Sequence, residues 1–319
     1  MSQSPHIGSD AEAVSLAADA LERGRLVAIP TETVYGLAAD ASDPRAVARV
    51  FAAKGRPSFN PLISHVASLA MAREEGELDE RAVTLIDAFW PGPLTIVVPV
   101  APSGRTSELA RAGLATIGLR MPSHPLAQTL LERFGGPISA PSANPSGRLS
   151  PTRAMDVATE LGDAVAVILD GGECPAGIES TIVSALPGEP VRLLRPGAIG
   201  RGDIEALIGP LADRKDEGIT APGQLASHYA PRARIRLDAH EAGAGEVLLG
   251  FGPDAPDNAP NLSRSGNTTE AAARLYRLLR EIDASGAATI AVMPIPDEGL
   301  GEAINDRLRR AAAPRDDAS

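Results

Sequence analysis

Leu26-Val-Ala-Ile-Pro30-Thr-Glu-Thr-Val-Tyr-Gly-Leu37 sets the class of fold. Leu26 to Ile29 is an apolar run of strand length, and Pro30 ends it in a segment carrying two threonines, a glutamate and a tyrosine. An apolar strand that delivers hydroxyls and a carboxylate at its end is how open α/β sheets hold ligands. Upstream, Val14, Ala17, Ala18 and Leu21 recur at helical spacing between Asp10 and Glu22, and Gly24 stops that helix. Downstream, Asp43-Pro44 is an N-cap followed by proline at the first helical position, opening a helix through Ala53 that Gly55 ends. Lys54 and Arg56 thus leave a helix and enter a loop.

The alternation continues irregularly. Strands are expected at Pro61 to Val66, Leu94 to Val100, Thr116 to Met121, Pro137 to Ala140, Ala164 to Leu169, Thr181 to Ala185 and Val191 to Leu194. Helices are expected at Arg81 to Phe89, Pro125 to Arg133, Thr152 to Leu161 and Asp203 to Leu207. This order predicts an α/β fold with a mixed rather than purely parallel sheet over residues 1–207. Residues 208–231 are rich in Gly, Pro and charge and read as a linker. Residues 232–319 read as a second, smaller α/β domain, with strands at Ile235 to Leu237, Val247 to Phe251 and Thr289 to Met293 and helices at Thr269 to Ile282 and Gly301 to Arg310.

Composition narrows the function. The chain has 319 residues, 44% hydrophobic and only 3% aromatic, so its core must be built from Ala, Val, Leu and Ile. No stretch reaches the length of a membrane span, and Met1 to Ser9 lacks a basic stretch followed by an apolar one, which predicts a cytoplasmic protein. The single cysteine, Cys174, excludes an internal disulfide and any multi-Cys zinc site, and the five histidines lack metal-ligand spacing, so no metal ligands are assigned. The net charge is −11, with 24 acidic against 17 basic residues in 1–207, so an anion site must draw a few cations into one pocket. Lys54 is one of only two lysines among 30 basic residues.

Familiar nucleotide motifs fail. There is no Gly-x4-Gly-Lys-Ser/Thr loop, and Gly250-Phe-Gly252-Pro-Asp-Ala255 is followed by prolines that leave no helix to receive a pyrophosphate. What remains is polar residues at strand ends: Thr31 to Tyr35, Lys54, Arg56 and Asn60, Arg120, Ser142 and Asn144, Glu179-Ser180-Thr181 and Arg195. Three arginines, a lysine and many hydroxyls suit an anionic, hydroxyl-bearing ligand. Singly, each has a plainer reading: His65 as a core histidine, Arg120 or Arg195 as an ion-pair partner, Ser142 and Asn144 as turn residues, and Trp90-Pro-Gly-Pro as a rigid turn.

Eight ordered segments resemble the YrdC-like threonylcarbamoyl-AMP synthases. They are Pro30-Thr-Glu-Thr-Val-Tyr-Gly-Leu37, Lys54-Gly-Arg56, Asn60-Pro-Leu62, Trp90-Pro-Gly-Pro-Leu-Thr95, Arg120-Met-Pro122, Ala140-Pro-Ser-Ala-Asn144, Glu179-Ser-Thr-Ile182 and Leu194-Arg-Pro-Gly197. Ala221-Pro-Gly-Gln-Leu-Ala-Ser-His228-Tyr229-Ala-Pro231 and the trailing domain are similar to the two-domain branch of that family. The resemblance implies a twisted mixed α/β sheet of the DHBP synthase-like type, with a smaller Rossmann-like domain after it. It implies a nucleotidyltransferase that joins L-threonine, bicarbonate and ATP into threonylcarbamoyl-adenylate and pyrophosphate, with Mg²⁺ held mainly by the phosphates. Partner proteins would then use the adenylate to modify an adenosine beside the anticodon of tRNAs, with at most weak tRNA contact by this chain.

Carried over by position, Lys54, Arg56, Asn60, Thr116, Ser142, Asn144, Ser150 and Arg195 would meet ATP, with Lys54 and Arg56 the catalytic cations. Thr33, His65, Arg120, the Ala140 backbone and Ser180 would surround threonine. His228 and Tyr229 would act as lid residues, whereas some relatives place a Tyr where this chain has Ala226. Two other readings remain: a hydrogenase-maturation carbamoyltransferase, whose relatives are longer and Cys-rich, and a non-catalytic RNA-binding module, which the acidic charge of 1–207 opposes.

Overall fold

The computed structural model describes residues 5–214, 218, 220–223 and 227–314. Ala226 and Lys215 lie outside the described residues. In chain order the first elements are β1 (His6–Gly8), α1 (Ala11–Glu22), β2 (Val27–Ile29), β3 (Gly36–Asp40), α2 (Pro44–Lys54), β4 (Ile63–His65), α3 (Leu69–Glu75) and α4 (Glu80–Phe89). There follow β5 (Leu94–Pro99), β6 (Thr116–Arg120), α5 (Pro125–Phe134), β7 (Ile138–Ser139), α6 (Ala154–Leu161), β8 (Val167–Leu169), β9 (Thr181–Ser184), β10 (Arg192–Arg195), α7 (Arg201–Ile208) and β11 (Ala212–Asp213). The last are β12 (Arg234–Arg236), β13 (Glu246–Leu249), α8 (Thr268–Ala284), β14 (Thr289–Val292) and α9 (Gly301–Ala312).

Local chemistry sets many of these bounds. Asp10, Asp43 and Asp79 each accept a backbone N–H in the first turn of α1, α2 and α4, satisfying donors that a helix start leaves free. Gly55 closes α2 at φ 59°, a left-handed position that a side chain disfavours, and its N–H returns to the carbonyls of Phe51 and Ala52. Lys54 is therefore the last helical residue rather than the first of the loop, and only Arg56 lies beyond the turn.

The large sheet is mixed, as the irregular alternation predicts. Its strands run β1-β8-β2-β3-β7-β4-β6-β5-β9-β10-β11, with parallel pairs such as β4 with β6 and antiparallel ones such as β2 with β3. Three of its strands, β1, β3 and β11, and the helix α3 escape the sequence reading. The pair β10 with β11 places Ala212 and Asp213 at the sheet's edge, so part of the stretch read as linker belongs to the large sheet. The small sheet is parallel, in the order β12-β14-β13. None of the described helices is long and apolar enough to cross a membrane.

Apart from a small cluster of Ala239, Leu248 and Ala291, the apolar core of the second region is shared with the first. Leu275, Tyr276, Leu279, Ile304 and Leu308 of α8 and α9 share one apolar cluster with Val34, Leu149 and Ile178 from the first region and with Tyr229. The ends of β2, β4, β6, β9 and β10 therefore point toward a place where both regions and residues 220–223 and 227–231 meet.

Candidate functional site

A cavity of about 40 Å³ lies at that junction, lined by Thr33, Val34, Arg56, Ile63, His65, Arg120, Ala140, Pro141, Ser142, Glu179, Ser180, Arg195, Pro222, Gly223, His228 and Tyr229. This gathers all five residues named for threonine and two of the three cations named for ATP. Lys54, Asn60, Asn144 and Ser150 stand behind the wall, and Thr116 lines an adjoining cavity that shares Ile63 and Pro222 with the first.

One side of the cavity is built around Arg120, delivered by the end of β6. Its Nη2 donates to Thr33 Oγ1 at 2.9 Å and Glu32 Oε1 at 2.7 Å, and its Nε reaches the Gly92 carbonyl at 3.3 Å. Nη1 has no partner among the described residues. Burial pushes the Glu32 carboxyl up, but the charge and hydrogen bond of Arg120 and the Ser123 N–H outweigh it, leaving Glu32 below its ordinary value. Thr31 Oγ1 donates to the Val34 carbonyl at 2.7 Å and lies 2.8 Å from Thr33 Oγ1, fixing the turn that presents Thr33. His65 is paired through its backbone between β6 and β7; burial, and then the charge of Arg120, push its imidazole down to about 3. It is thus neutral at physiological pH, and its Nδ1 has no partner among the described residues. The Ala140 N–H is committed to the Ile63 carbonyl at 3.1 Å.

Arg56 and Arg195 also line the cavity. Arg56 Nε donates to the Asn60 carbonyl at 3.1 Å, and its Nη2 donates to Asn60 Oδ1 at 2.6 Å and the Pro61 carbonyl at 2.9 Å, so Asn60 orients the guanidinium. Burial draws Arg56 down to about 10, still charged at neutral pH. Arg195 Nη2 donates to the Ser180 carbonyl at 2.8 Å and to its Oγ at 3.1 Å, while Ser180 Oγ lies 2.8 Å from Thr95 Oγ1. Arg195 Nη1 donates to the Pro222 carbonyl at 3.4 Å, tying the 220–223 segment to β10.

Lys54 behaves unlike the expected phosphate ligand. Its ammonium is buried and donates to the carbonyls of Ser142, at 2.5 Å, and of Asn144. Burial first, then the charge of Arg56, hold it well below its ordinary value. It clamps the loop that brings Ser142 to the cavity. Asn144 Nδ2 braces the same loop through the Pro145 carbonyl at 2.7 Å and the Arg148 carbonyl at 3.0 Å. Ser150 Oγ donates to Glu179 Oε1 at 2.5 Å.

His228 and Tyr229 also line the cavity. His228 stands edge-on to Tyr229 at 4.1 Å, and Tyr229 takes a left-handed backbone, φ 60°. Burial, with Arg56, Lys54 and Arg195 nearby, pushes His228 down to about 3. Val34, Ile63, Pro141, Pro222 and Gly223 line the cavity without having been assigned a role, and Glu179, one of the strand-end polar residues, lines it without having been assigned to either substrate.

Comparison with known proteins places this arrangement. The family model described as "Telomere recombination" matches residues 19–197, and "Threonylcarbamoyl-AMP synthase, C-terminal domain" matches 199–313. The threonylcarbamoyl-AMP synthase of Bacillus subtilis (strain 168) is 40% identical, covering 95% of this chain and 93% of its own length. The enzyme of that name from Vibrio cholerae is 37% identical over 50% of this chain and 86% of its own length. A crystal structure of Sua5 from P. abyssi complexed with L-threonine superposes with a TM-score of 0.87 at 36% identity, covering 97% of each chain. The chain belongs to the threonylcarbamoyl-AMP synthase family, in its two-domain form.

Proposed function

We propose that this chain condenses L-threonine, bicarbonate and ATP into threonylcarbamoyl-adenylate and pyrophosphate. The observation that carries the reading is the convergence of Arg56, Arg120 and Arg195 with Thr33, His65 and Ser180 on one cavity in a chain of net charge −11. Arg120 Nη1 suits the threonine carboxylate, and neutral His65 Nδ1, lacking a partner, suits its ammonium or hydroxyl. That Sua5 was crystallised with L-threonine supports this assignment.

The threonine amino nitrogen bonds to the bicarbonate carbon, one of its C–O bonds breaks, and water leaves carrying that oxygen and the nitrogen's proton, giving the carbamate. A carbamate oxygen then attacks the α-phosphorus, the bond to the bridging oxygen breaks, and pyrophosphate leaves with the electron pair. Arg56 and Arg195, each fixed by backbone carbonyls, would neutralise charge on the phosphates without reorganising. Among the described residues no three His, Cys, Asp or Glu stand together as a metal site, and Glu32 and Glu179 are already committed to arginines. Mg²⁺ is therefore assigned to the nucleotide, arriving with ATP. A cavity of about 40 Å³ holds only a few waters, so His228 and Tyr229 would act as a lid that opens to admit ATP and then excludes water from the labile anhydride. Threonylcarbamoylation of tRNA by partner proteins in the cytoplasm would consume the product.

The test is pyrophosphate release by the purified chain with ATP, Mg²⁺, bicarbonate and single amino acids. Release that needs both threonine and bicarbonate supports the reading. Release driven by carbamoyl phosphate instead, or none at all, removes it.

A further inference from the structure

The geometry points to Arg307 and Tyr276, from α9 and α8, as positioning residues for the adenylate-forming site, acting through Glu179 and Tyr229. The inference rests on the function proposed above. Glu179 is a cavity-lining carboxylate next to Ser180. Besides Ser150, it accepts from Tyr276 Oη, at 3.0 and 2.9 Å from its two oxygens, and from Arg307 Nε at 2.9 Å. Arg307 Nη1 also donates to the Pro196 carbonyl at 2.8 Å, and its guanidinium lies over the Tyr229 ring, 5.1 Å from the centroid. One side chain therefore fixes the Glu179 wall, the end of β10 and the aromatic that closes the mouth. Arg307 is only 1% exposed and does not line the cavity, so any effect on substrates passes through these three groups.

A tie needed merely to join the two regions would not have to be here. Arg201 with Glu302, Arg277 with Glu173, and Arg280 with Glu160 already bridge them on partly exposed ground. A buried ion pair is a poor source of stability, because desolvation offsets the attraction, but it tolerates few geometries. That property fits a device that sets Glu179, Ser180 and Tyr229 to the tolerance adenylate formation needs. The second region thereby becomes a working part of the site rather than an appendage.

Tyr276→Phe keeps the ring and removes the donor; Arg307→Lys keeps the charge and loses the planar stack. Both are compared with the wild-type chain for melting temperature, for kcat and KM with threonine and ATP, and for AMP formed per adenylate. AMP arises when water cleaves the anhydride, giving AMP and the carbamate. Expected is a melting temperature within a few degrees of wild type, kcat reduced about tenfold or more, threonine KM little changed, and a several-fold higher AMP ratio, with Tyr276→Phe the milder. Folded variants with wild-type kcat and AMP ratio would overturn the proposal. Hydrogen exchange of 178–181 and 227–230 reads the coupling without turnover: faster exchange in Tyr276→Phe supports it, and unchanged exchange overturns it. A wild-type chain that forms no adenylate would sink the proposed function while leaving that exchange result to decide this one.

Discussion

Gly223→Ala should hold the mouth open while leaving the two sheets folded. Gly223 has φ 83°, and a Cβ there would stand 2.6 Å from Tyr229 Oη, 2.9 Å from Arg195 Cδ and 3.2 Å from Arg195 Nη1. Neither neighbour can yield cheaply, since Arg307 lies over the tyrosine ring and the Ser180 carbonyl pins Arg195. The left-handed backbone costs an L-residue about 1–2 kcal/mol, and crowding a packed site costs about 1–3 kcal/mol. The sum, roughly 2–5 kcal/mol, falls on the closed arrangement alone, because an open mouth has neither the contacts nor a fixed φ. At about 1.4 kcal/mol per tenfold, the closed-to-open ratio drops at least ~30-fold. Initial rates of threonine-dependent pyrophosphate release should fall accordingly, with the melting temperature little changed. A variant with wild-type kcat would refute the link between closure and chemistry.

Arg120→Lys removes the fork that joins Thr33 and Glu32. Losing one charged hydrogen bond, worth about 1.5–3 kcal/mol, should raise threonine KM roughly 10- to 150-fold with ATP KM unchanged, checked by varying each substrate in turn. Lys54→Met strands the carbonyls of Ser142 and Asn144; by loosening the loop that presents Ser142, it should lower turnover about 10²-fold and raise ATP KM, while circular dichroism still reports a folded chain. Stability should fall on acidification, because His65 and His228 titrate near 3 when folded and near ~6.5 when unfolded. The unfolded chain takes up protons first, so this stability is complete above about pH 6.5 and drains toward pH 3, at up to ~1.4 kcal/mol per pH unit for each histidine. Glu179, lowered to about 2 from an unfolded value of 4.5, adds the same trend further down. Urea midpoints at pH 7.5 and 5.0 check it, and equal midpoints would refute it.

Where a residue's partners are local, the sequence was readable. Asp43, Pro44 and Gly55 bracket α2 because caps and left-handed turns act within four residues. β3 was missed since Gly-Leu-Ala-Ala-Asp, buried on both faces save its end, shows no alternation. α3 was missed since seven residues give too few turns for a period. In the site, Arg56, Arg120 and Arg195 reach the cavity named for them, whereas Lys54 turns to carbonyls 88 and 90 residues away, a direction no spacing reveals. Arg307 and Tyr276 were invisible as site residues for the same reason: the acid they serve is 128 and 97 residues upstream.

The sharing of one carboxylate between regions also fixes when the site can exist. Glu179 precedes Arg307 by 128 residues, and synthesis at about 5–20 residues per second separates their emergence by roughly 6–26 s. Through that interval the acid has neither its arginine nor its α8 tyrosine, and the apolar surface of Val34, Leu149 and Ile178 awaits α8 and α9. A ribosome-bound chain with the large sheet complete would hold its substrate-facing residues in order of sequence but not in register with one another. Ribosomes stalled before residue 276 should therefore display a fragment open to proteases and chaperones at this face, and competence should appear abruptly once α9 has left the tunnel.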